Sequence, residues 1–421
     1  KKKKKEFRTT PHKKTVRQKV LLLQKSSFFL SFWFVPKQKK EDDRKKRPTK
    51  TEERDFLTTP YYNPLFLYLN DDFDDDDFEM LFAKKKKKTT IITKTSAFVV
   101  EIWNAARVAL ASEDVHAGVL LAFAMLGAIA FLSYWIPKAI VSVMPTQNLK
   151  KKYKGATWAL VTGASSGIGK ALAKELAGQG LNVVLVSLKE SILDETFDEL
   201  RKTFPEREFR KIGVNLGTRD GSYLKEIEDK TKDIDVQVVF NNAGFMLTGF
   251  FDKTNLDVLM TNHECNCTSA MQITHVFVKR MLEKKLKGCI VFTSSAAACQ
   301  PTPFSALYGA TKSYISAFAA NVACEVKSRG IDVCTVHPSP VASNFYDKAH
   351  KLDALAFFQK FAVTPDQLPK EMLRPIGRIV WYDIGMVAIA FRNLLKLFDY
   401  GFFATLISWT AHNMGDYKKN V

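Results

Sequence analysis

A chain of 421 residues with 46% hydrophobic side chains is long enough to bury one large core or two to three smaller ones. Its net charge of +19 is uneven: residues 1–100 carry 26 Lys and Arg against 14 Asp and Glu, +12 in all, and residues 101–421 carry only +7. The basic excess sits in an N-terminal segment rather than in a folded body, which argues against a nucleic-acid-binding domain. Six cysteines (Cys265, Cys267, Cys289, Cys299, Cys324, Cys334) contain no CxxC pair, and the seven histidines contain no HExxH. Neither a disulfide framework nor a metal site is expected, and the thiols read as inert in a reduced compartment.

Residues 1–100 open on "KKKKK", are interrupted by "NDDFDDDDFE" and nearly close on "AKKKKKTT". Like-charge blocks repel and stay solvated, so this segment is predicted to be a disordered charged tail. The first methionine is Met80, and part of the tail is read as a gene-model extension rather than native protein. Its apolar patch at 20–35 is broken by Gln24, Lys25, Ser26 and Ser27, which makes a poor membrane span.

Residues 117–136, "AGVLLAFAMLGAIAFLSYWI", carry no charge over twenty positions. That length crosses about 30 Å of hydrocarbon, so a transmembrane anchor is predicted here, against a buried core helix as the alternative. Glu113 and Asp114 precede it, and Lys138, Lys150, Lys151, Lys152 and Lys154 follow it. The positive-inside rule then puts the C-terminal side in the cytosol.

From 155 to 375 short apolar runs alternate with amphipathic ones. Strands are predicted at 157–163, 182–187, 209–215, 236–240, 289–294 and 331–337, with helices between them, the longest near 265–285 and 306–328. Continuous apolar strands separated by amphipathic helices mean a parallel sheet covered on both faces, an α/β doubly wound fold of Rossmann type. Residues 376–421 are read as apolar C-terminal helices. The part at 376–411 contains Asp383, Arg392, Lys396 and Asp399, and either joins the core or lies on a bilayer surface.

Four stretches carry chemistry. "TGASSGIG" (162–169) follows the first strand and opens a helix. Its Gly163, Gly167 and Gly169 would let a pyrophosphate approach the backbone at a helix N-terminus. "NNAG" (241–244) follows the fourth strand. Ser295 stands thirteen residues before Tyr308, and Tyr308-Gly-Ala-Thr-Lys312 has the form YxxxK. One helical turn apart, Tyr308 and Lys312 share a face. A free tyrosine titrates near ~10, and a lysine cation would favour phenolate and lower that value. Tyr308 then becomes a usable general acid; the family that these motifs resemble implies a carbonyl under reduction as its target, with Ser295 as hydrogen-bond donor to the same oxygen.

These motifs, in this order over about 155–345, resemble the short-chain dehydrogenase/reductase family. The resemblance implies a nicotinamide cofactor held by Gly163, Ser165, Ser166, Gly167, Ile168 and Gly169, by Ser187 and Lys189 after the second strand, and by Asn242, Ala243 and Gly244. It also implies contacts from Tyr308, Lys312, Pro338 and Val341. Lys312 would hold the nicotinamide ribose, and an asparagine on the long helix would complete a proton relay; alignment gives Asn266, with Asn262 as rival. No acid follows the second strand until Glu190, and Lys189 could meet a 2′-phosphate, so NADPH is favoured over NADH. Two positions depart from the family pattern. Asn215 stands where an Asp is usual, and Ser339 stands where the loop commonly has Gly.

Within the family, the anchor, residues 151–187 and the end "KKNV", with Lys418 and Lys419, resemble membrane-anchored very-long-chain 3-oxoacyl-CoA reductases and their 17β-hydroxysteroid dehydrogenase type 12 relatives. This implies an endoplasmic reticulum membrane protein with a cytosolic catalytic domain. It would reduce a lipid ketone, 3-oxoacyl-CoA, in very-long-chain fatty-acid elongation, beside other elongation enzymes or as a homodimer. Its rivals are 3-oxo-sphinganine reductase, a steroid or retinoid dehydrogenase, and an inert NADPH-binding scaffold.

Overall fold

The computed structural model describes residues 115–346 and 352–420; the expected tail at 1–100 lies outside the described residues. The first element is one long helix, α1 (Val115–Val143). Its polar hydroxyls at Ser133 and Ser142 bond back to the carbonyls of Ala130 and Ala139, so the helix satisfies them internally. Within α1, Gly118–Val143 is long and apolar enough to cross a membrane by length and composition.

Seven strands follow in one sheet: β1 (Trp158–Thr162), β2 (Asn182–Ser187), β3 (Phe209–Gly213), β4 (Val236–Asn241), β5 (Gly288–Thr293), β6 (Ile331–Pro338) and β7 (Trp381–Ile384). Their order is β3-β2-β1-β4-β5-β6-β7, and every pairing is parallel. The central strands β1, β4, β5 and β6 are buried at every position, which is why their sequences are mostly apolar, with polar exceptions such as Gln237 in β4 and Asp332 and His337 in β6.

Between the strands run α2 (Gly167–Gly178), α3 (Ser191–Thr203), α4 (Ser222–Thr231), α5 (Leu256–His263), α6 (Ser269–Glu283) and α7 (Ala306–Val326). Side chains alternate across the sheet. Ala159, Val161, Cys289 and Val291 join Leu172 and Leu176 of α2 and Leu200 of α3 in one core layer. Leu160, Ile290 and Phe292 join Ile227 of α4, Phe277 of α6 and Ile315 of α7 in the other. The fold is the doubly wound α/β sheet expected from the alternation of strands and helices.

The C-terminal part differs from expectation. It contains α8 (Asp353–Gln359), α9 (Leu368–Leu373), α10 (Met386–Leu397), α11 (Tyr400–Thr410) and α12 (Gly415–Asn420), but also β7. The sheet therefore does not end before 375, and 376–421 is not purely helical. The signal in β7 was hidden because the strand has four residues and one of them is Asp383. That carboxylate is 3% exposed and accepts from Arg392 of α10 at 3.1 Å through both oxygens, so a charge sits where the apolar pattern would have announced a strand.

Candidate active site

The sheet order reverses between β1 and β4, and the crevice at the carboxyl ends of those strands is where such sheets hold ligands. The Gly-rich turn fills that place. Gly163 has φ +65°, and a Cβ on it would stand 3.0 Å from the Ala243 Cα. A Cβ on Gly169 would stand 2.1 Å from the Gly163 carbonyl oxygen, so only glycine lets α2 approach the turn. Ser166 is the N-cap of α2 and makes no side-chain cap, so that hydroxyl leaves the first-turn amides open toward the crevice. Ile168 faces the other way, against the core.

Asn242, Ala243 and Gly244 close the crevice from the β4 side. The amides of Asn242 and Ala243 both donate to Thr162 Oγ1 at 2.9 Å, and Thr293 Oγ1 donates to Asn242 Oδ1 at 3.0 Å. Thr162 and Thr293 are contributors the motif reading missed; strand-end threonines carry no sequence signal of their own. At the rim after β2, the Ser187 and Ser165 hydroxyls are 2.8 Å apart. Lys189 is exposed and passes beside Gly213. Asn215 Oδ1 accepts from the Gly217 amide at 2.9 Å, a turn-forming contact open equally to the Asp usual there.

Tyr308 and Lys312 lie on α7, buried at 8% and 4% exposure. The Lys312 Nζ stands 5.7 Å from the Tyr308 ring centre and donates to the Thr293 carbonyl at 2.9 Å. Ser295, at the end of the β5 segment, hydrogen-bonds the Tyr308 side chain and accepts from the Ala297 amide at 3.2 Å. Asn266 sits in a π-helical turn, Glu264–Thr268, that joins α5 to α6; such turns recur at functional sites. Its Oδ1 accepts from the Phe245 amide at 3.0 Å, and its Nδ2 donates to the Phe245 carbonyl at 3.0 Å and to Thr311 Oγ1 at 3.2 Å. A Cβ on Gly244 would stand 2.9 Å from Asn266 Oδ1 and 3.4 Å from Lys312 Nζ, so both side chains meet at that glycine. Asn262, one turn earlier, is fully buried and donates to the Phe245 carbonyl at 2.8 Å. The structure thus brings Ser295, Tyr308, Lys312 and Asn266 together, with Asn262 behind them.

The electrostatics correct one expectation. Burial pushes the Tyr308 phenol above its ordinary value, Tyr346 adds to this, and the bond from Ser295 opposes it. The expected net lowering by Lys312 does not emerge, because desolvation of the phenol outweighs the opposing effects. Burial brings the Lys312 ammonium down to about 8, against smaller opposing effects of Cys265 and Cys267.

Two aromatic residues after β6 were also missed. Phe345 lies 5.9 Å from the Tyr308 ring and 5.2 Å from Tyr346, centre to centre. The Tyr346 hydroxyl accepts from the amide of Val341, a residue expected to contact the cofactor, at 3.4 Å. Pro338 ends β6. Ser339, the departure from the family's Gly, accepts from the Ala388 amide in the first turn of α10 at 3.1 Å. The hydroxyl therefore ties the loop after β6 to the helix after β7.

The chain belongs to the short chain dehydrogenase family, whose model matches residues 157–353. It is 31% identical over 239 residues to the very-long-chain 3-oxoacyl-CoA reductase of Podospora anserina, covering 56% of this chain and 68% of that one. It is 34% identical over 203 residues to the human inactive hydroxysteroid dehydrogenase-like protein 1, covering 47% of this chain and 59% of that one. The matches span 65% and 58% of the length of two further curated relatives. Among solved structures, one from work on 7β-hydroxysteroid dehydrogenase stereoselectivity superposes with a TM-score of 0.55 at 21% identity, over 62% of this chain and all of that one. That likeness is one of fold.

Proposed function

We propose that this chain uses NADPH, in preference to NADH, to reduce a lipid ketone at the endoplasmic reticulum membrane. The substrate proposed is a 3-oxoacyl-CoA, reduced to the 3-hydroxyacyl-CoA as in very-long-chain fatty-acid elongation. The observation that carries the reading is the convergence of Ser295, Tyr308, Lys312 and Asn266 beside a glycine turn that tolerates no side chain.

The residues fit a dinucleotide. The turn at Gly163 and Gly169 leaves backbone where a pyrophosphate needs close approach, and the α2 amides point positive charge into it. Ser187 and Lys189 would meet the adenosine ribose, where the lack of an acid favours a 2′-phosphate. When bound, the nicotinamide supplies the hydride. Tyr308 holds a proton at its hydroxyl through neutral pH, since burial raises its value, and delivers it to the carbonyl oxygen of the ketone. Ser295 donates a hydrogen bond to the same oxygen, where negative charge develops. Lys312 brings a buried cation to the ribose side of the site, and Asn266 holds the Phe245 backbone and Thr311 in place around it.

The acyl-CoA choice is supported by the name of the Podospora relative and by the apolar helix α1, because long acyl chains partition into bilayers. Purified full-length protein in detergent should oxidise NADPH faster with a 3-oxoacyl-CoA than with 3-oxo-sphinganine or a 17-oxosteroid; the reverse ranking reassigns the substrate. A second reading, an inert NADPH-binding scaffold, is favoured by the word "inactive" in the human relative's name. The intact Ser295, Tyr308 and Lys312 set weighs against it, and absence of turnover with all three ketones would establish it.

A further inference from the structure

We infer that the catalytic domain is seated in the membrane through a second apolar surface, centred on α11, rather than tethered above it by α1 alone. This rests on the proposed reading of α1 as membrane-spanning.

The last turns of α1 are not free. Trp135 Nε1 donates to Asn393 Oδ1 of α10 at 3.0 Å, and Lys138 Nζ donates to the Asp383 carbonyl of β7 at 2.7 Å while lying 4.3 Å from the Tyr382 ring centre. Arg374 donates to the Ser142 carbonyl and Arg378 to the Pro145 carbonyl. From about Tyr134 onward, α1 is part of the domain. The charge-free stretch that remains, Ala117 to Ser133, is about 25 Å of helix at 1.5 Å per residue. A hydrocarbon core is about 30 Å thick. A helix that short and that rigidly joined draws the attached surface down to the level of the lipid.

The surface at that level is apolar. Lys396 near the end of α10 lies 5.6 Å from the Tyr134 ring centre, and α11 begins four residues later. α11 has no charged residue and no buried side chain. Phe402, Leu406 and Trp409, at spacings of four and three, share one face and are 57%, 43% and 71% exposed. A surface helix of a water-soluble domain turns charged and polar residues outward; α11 is apolar on its exposed face and again on its half-buried side, at Phe403 and Ile407. Leu397 of α10, at 71% exposure, extends the stripe toward α1.

A second feature fits lipid as the occupant. Every serine and threonine hydroxyl of α11 is bonded back into its own helix: Thr405 to the Gly401 carbonyl, Ser408 to the Thr405 carbonyl and Thr410 to the Leu406 carbonyl. No serine or threonine hydroxyl there depends on water for a partner, so these turns meet the condition hydrocarbon imposes; Thr203 and Thr261 elsewhere on the domain surface bond back in the same way, so the lipid reading rests on the charge-free exposed face. The same device occurs in the remaining stretch of α1 at Ser133. The occupant is therefore the leaflet that α1 enters, with Trp409 and Tyr400 at its boundary.

The test is depth labelling of the full chain in phosphatidylcholine vesicles. In a Cys324→Ser background, which removes the exposed thiol, an environment-sensitive fluorophore is placed at Phe123→Cys in α1, Leu406→Cys in α11, and Lys202→Cys in α3 as an aqueous control. The expected result is that emission from 123 and 406 is blue-shifted and largely lost to a quencher carried on lipid acyl chains, whereas 202 is quenched only by iodide. Lipid quenching at 123 with iodide quenching at 406 overturns the inference and leaves the anchor reading standing. Shielding of 406 from both quenchers assigns the face to a second copy or another protein and equally overturns it. Iodide quenching at both 123 and 406 removes the anchor reading itself.

Discussion

The amine of Lys312 donates to the backbone carbonyl of Thr293 at 2.9 Å, joining α7 to the last residue of β5. That bond holds a buried cation at the rim of the crevice where a ribose would lie. Burial brings its ammonium down from 10.5 to about 8. Because the folded value is depressed, the charge is penalised in the fold at neutral pH, and the contribution of this group to stability rises as pH climbs from about 8 to the unfolded value. Cofactor binding runs the other way: the affinity of the free protein for NADPH is expected to fall as pH rises through about 8, when the donor loses its proton. Titration of NADPH fluorescence from pH 6.5 to 9.5 checks this. Lys312→Met should bind weakly with no such pH dependence; a retained step near 8 would assign the titration elsewhere.

Tyr308→Phe removes the proton donor and leaves the ring against Phe345. Turnover should fall by about 100-fold or more, with NADPH binding unchanged. Steady-state rates and a binding titration on the same preparation separate the two, and a variant that still turns over at the parent rate rules out the proton-transfer role.

Gly169→Ala would drive a Cβ to 2.1 Å from the Gly163 carbonyl oxygen. The turn must open, at a cost of about 3 kcal/mol, and dinucleotide binding should go with it. Gly221 is the control: its φ is +70° but nothing lies within 4 Å of an added Cβ. Gly221→Asn should cost about 1 kcal/mol or less and leave binding intact, as read by thermal melts with and without NADPH.

Ser339→Gly restores the residue common in the family and deletes the hydroxyl that accepts from Ala388. Loss of this contact at the start of α10 should lower stability by about 1 kcal/mol while turnover stays near the parent value. A collapse of turnover would mean that the serine positions the nicotinamide loop itself.

Asp332 accepts from Tyr153 at 2.6 Å and from Lys327 at 2.7 Å, with Lys152 at 3.5 Å. Burial works against its charge, but Lys152, Lys327 and Tyr153 outweigh it and hold the carboxyl below its ordinary value. The folded value is depressed, so its stabilisation is present above the unfolded value near ~4 and is lost as pH falls below it. Asp332→Asn should cost about 2 kcal/mol at pH 7 and flatten the acid limb of the stability curve in denaturant melts.

Some of this protein was determined by its residue string alone. Strands β1, β2, β4, β5 and β6 announce themselves because both faces of each are buried, so their runs are mostly apolar even where β6 carries Asp332 and His337. The glycine turn and the Tyr308–Lys312 spacing are legible because both are local: a sharp turn needs glycine, and four residues make one helical turn. Only the tertiary structure decided what depends on contacts between distant segments. β7 exists as a strand because Arg392 neutralises its Asp383 from another element. Asn266, in the π-turn, stands at Gly244 where the Lys312 amine also lies, while Asn262 one turn earlier bonds the Phe245 carbonyl. The Tyr308 phenol is pushed upward because the fold desolvates it and sets Tyr346 beside it. Spacing reports which side chains share a face; the balance of burial against charge belongs to the packed whole.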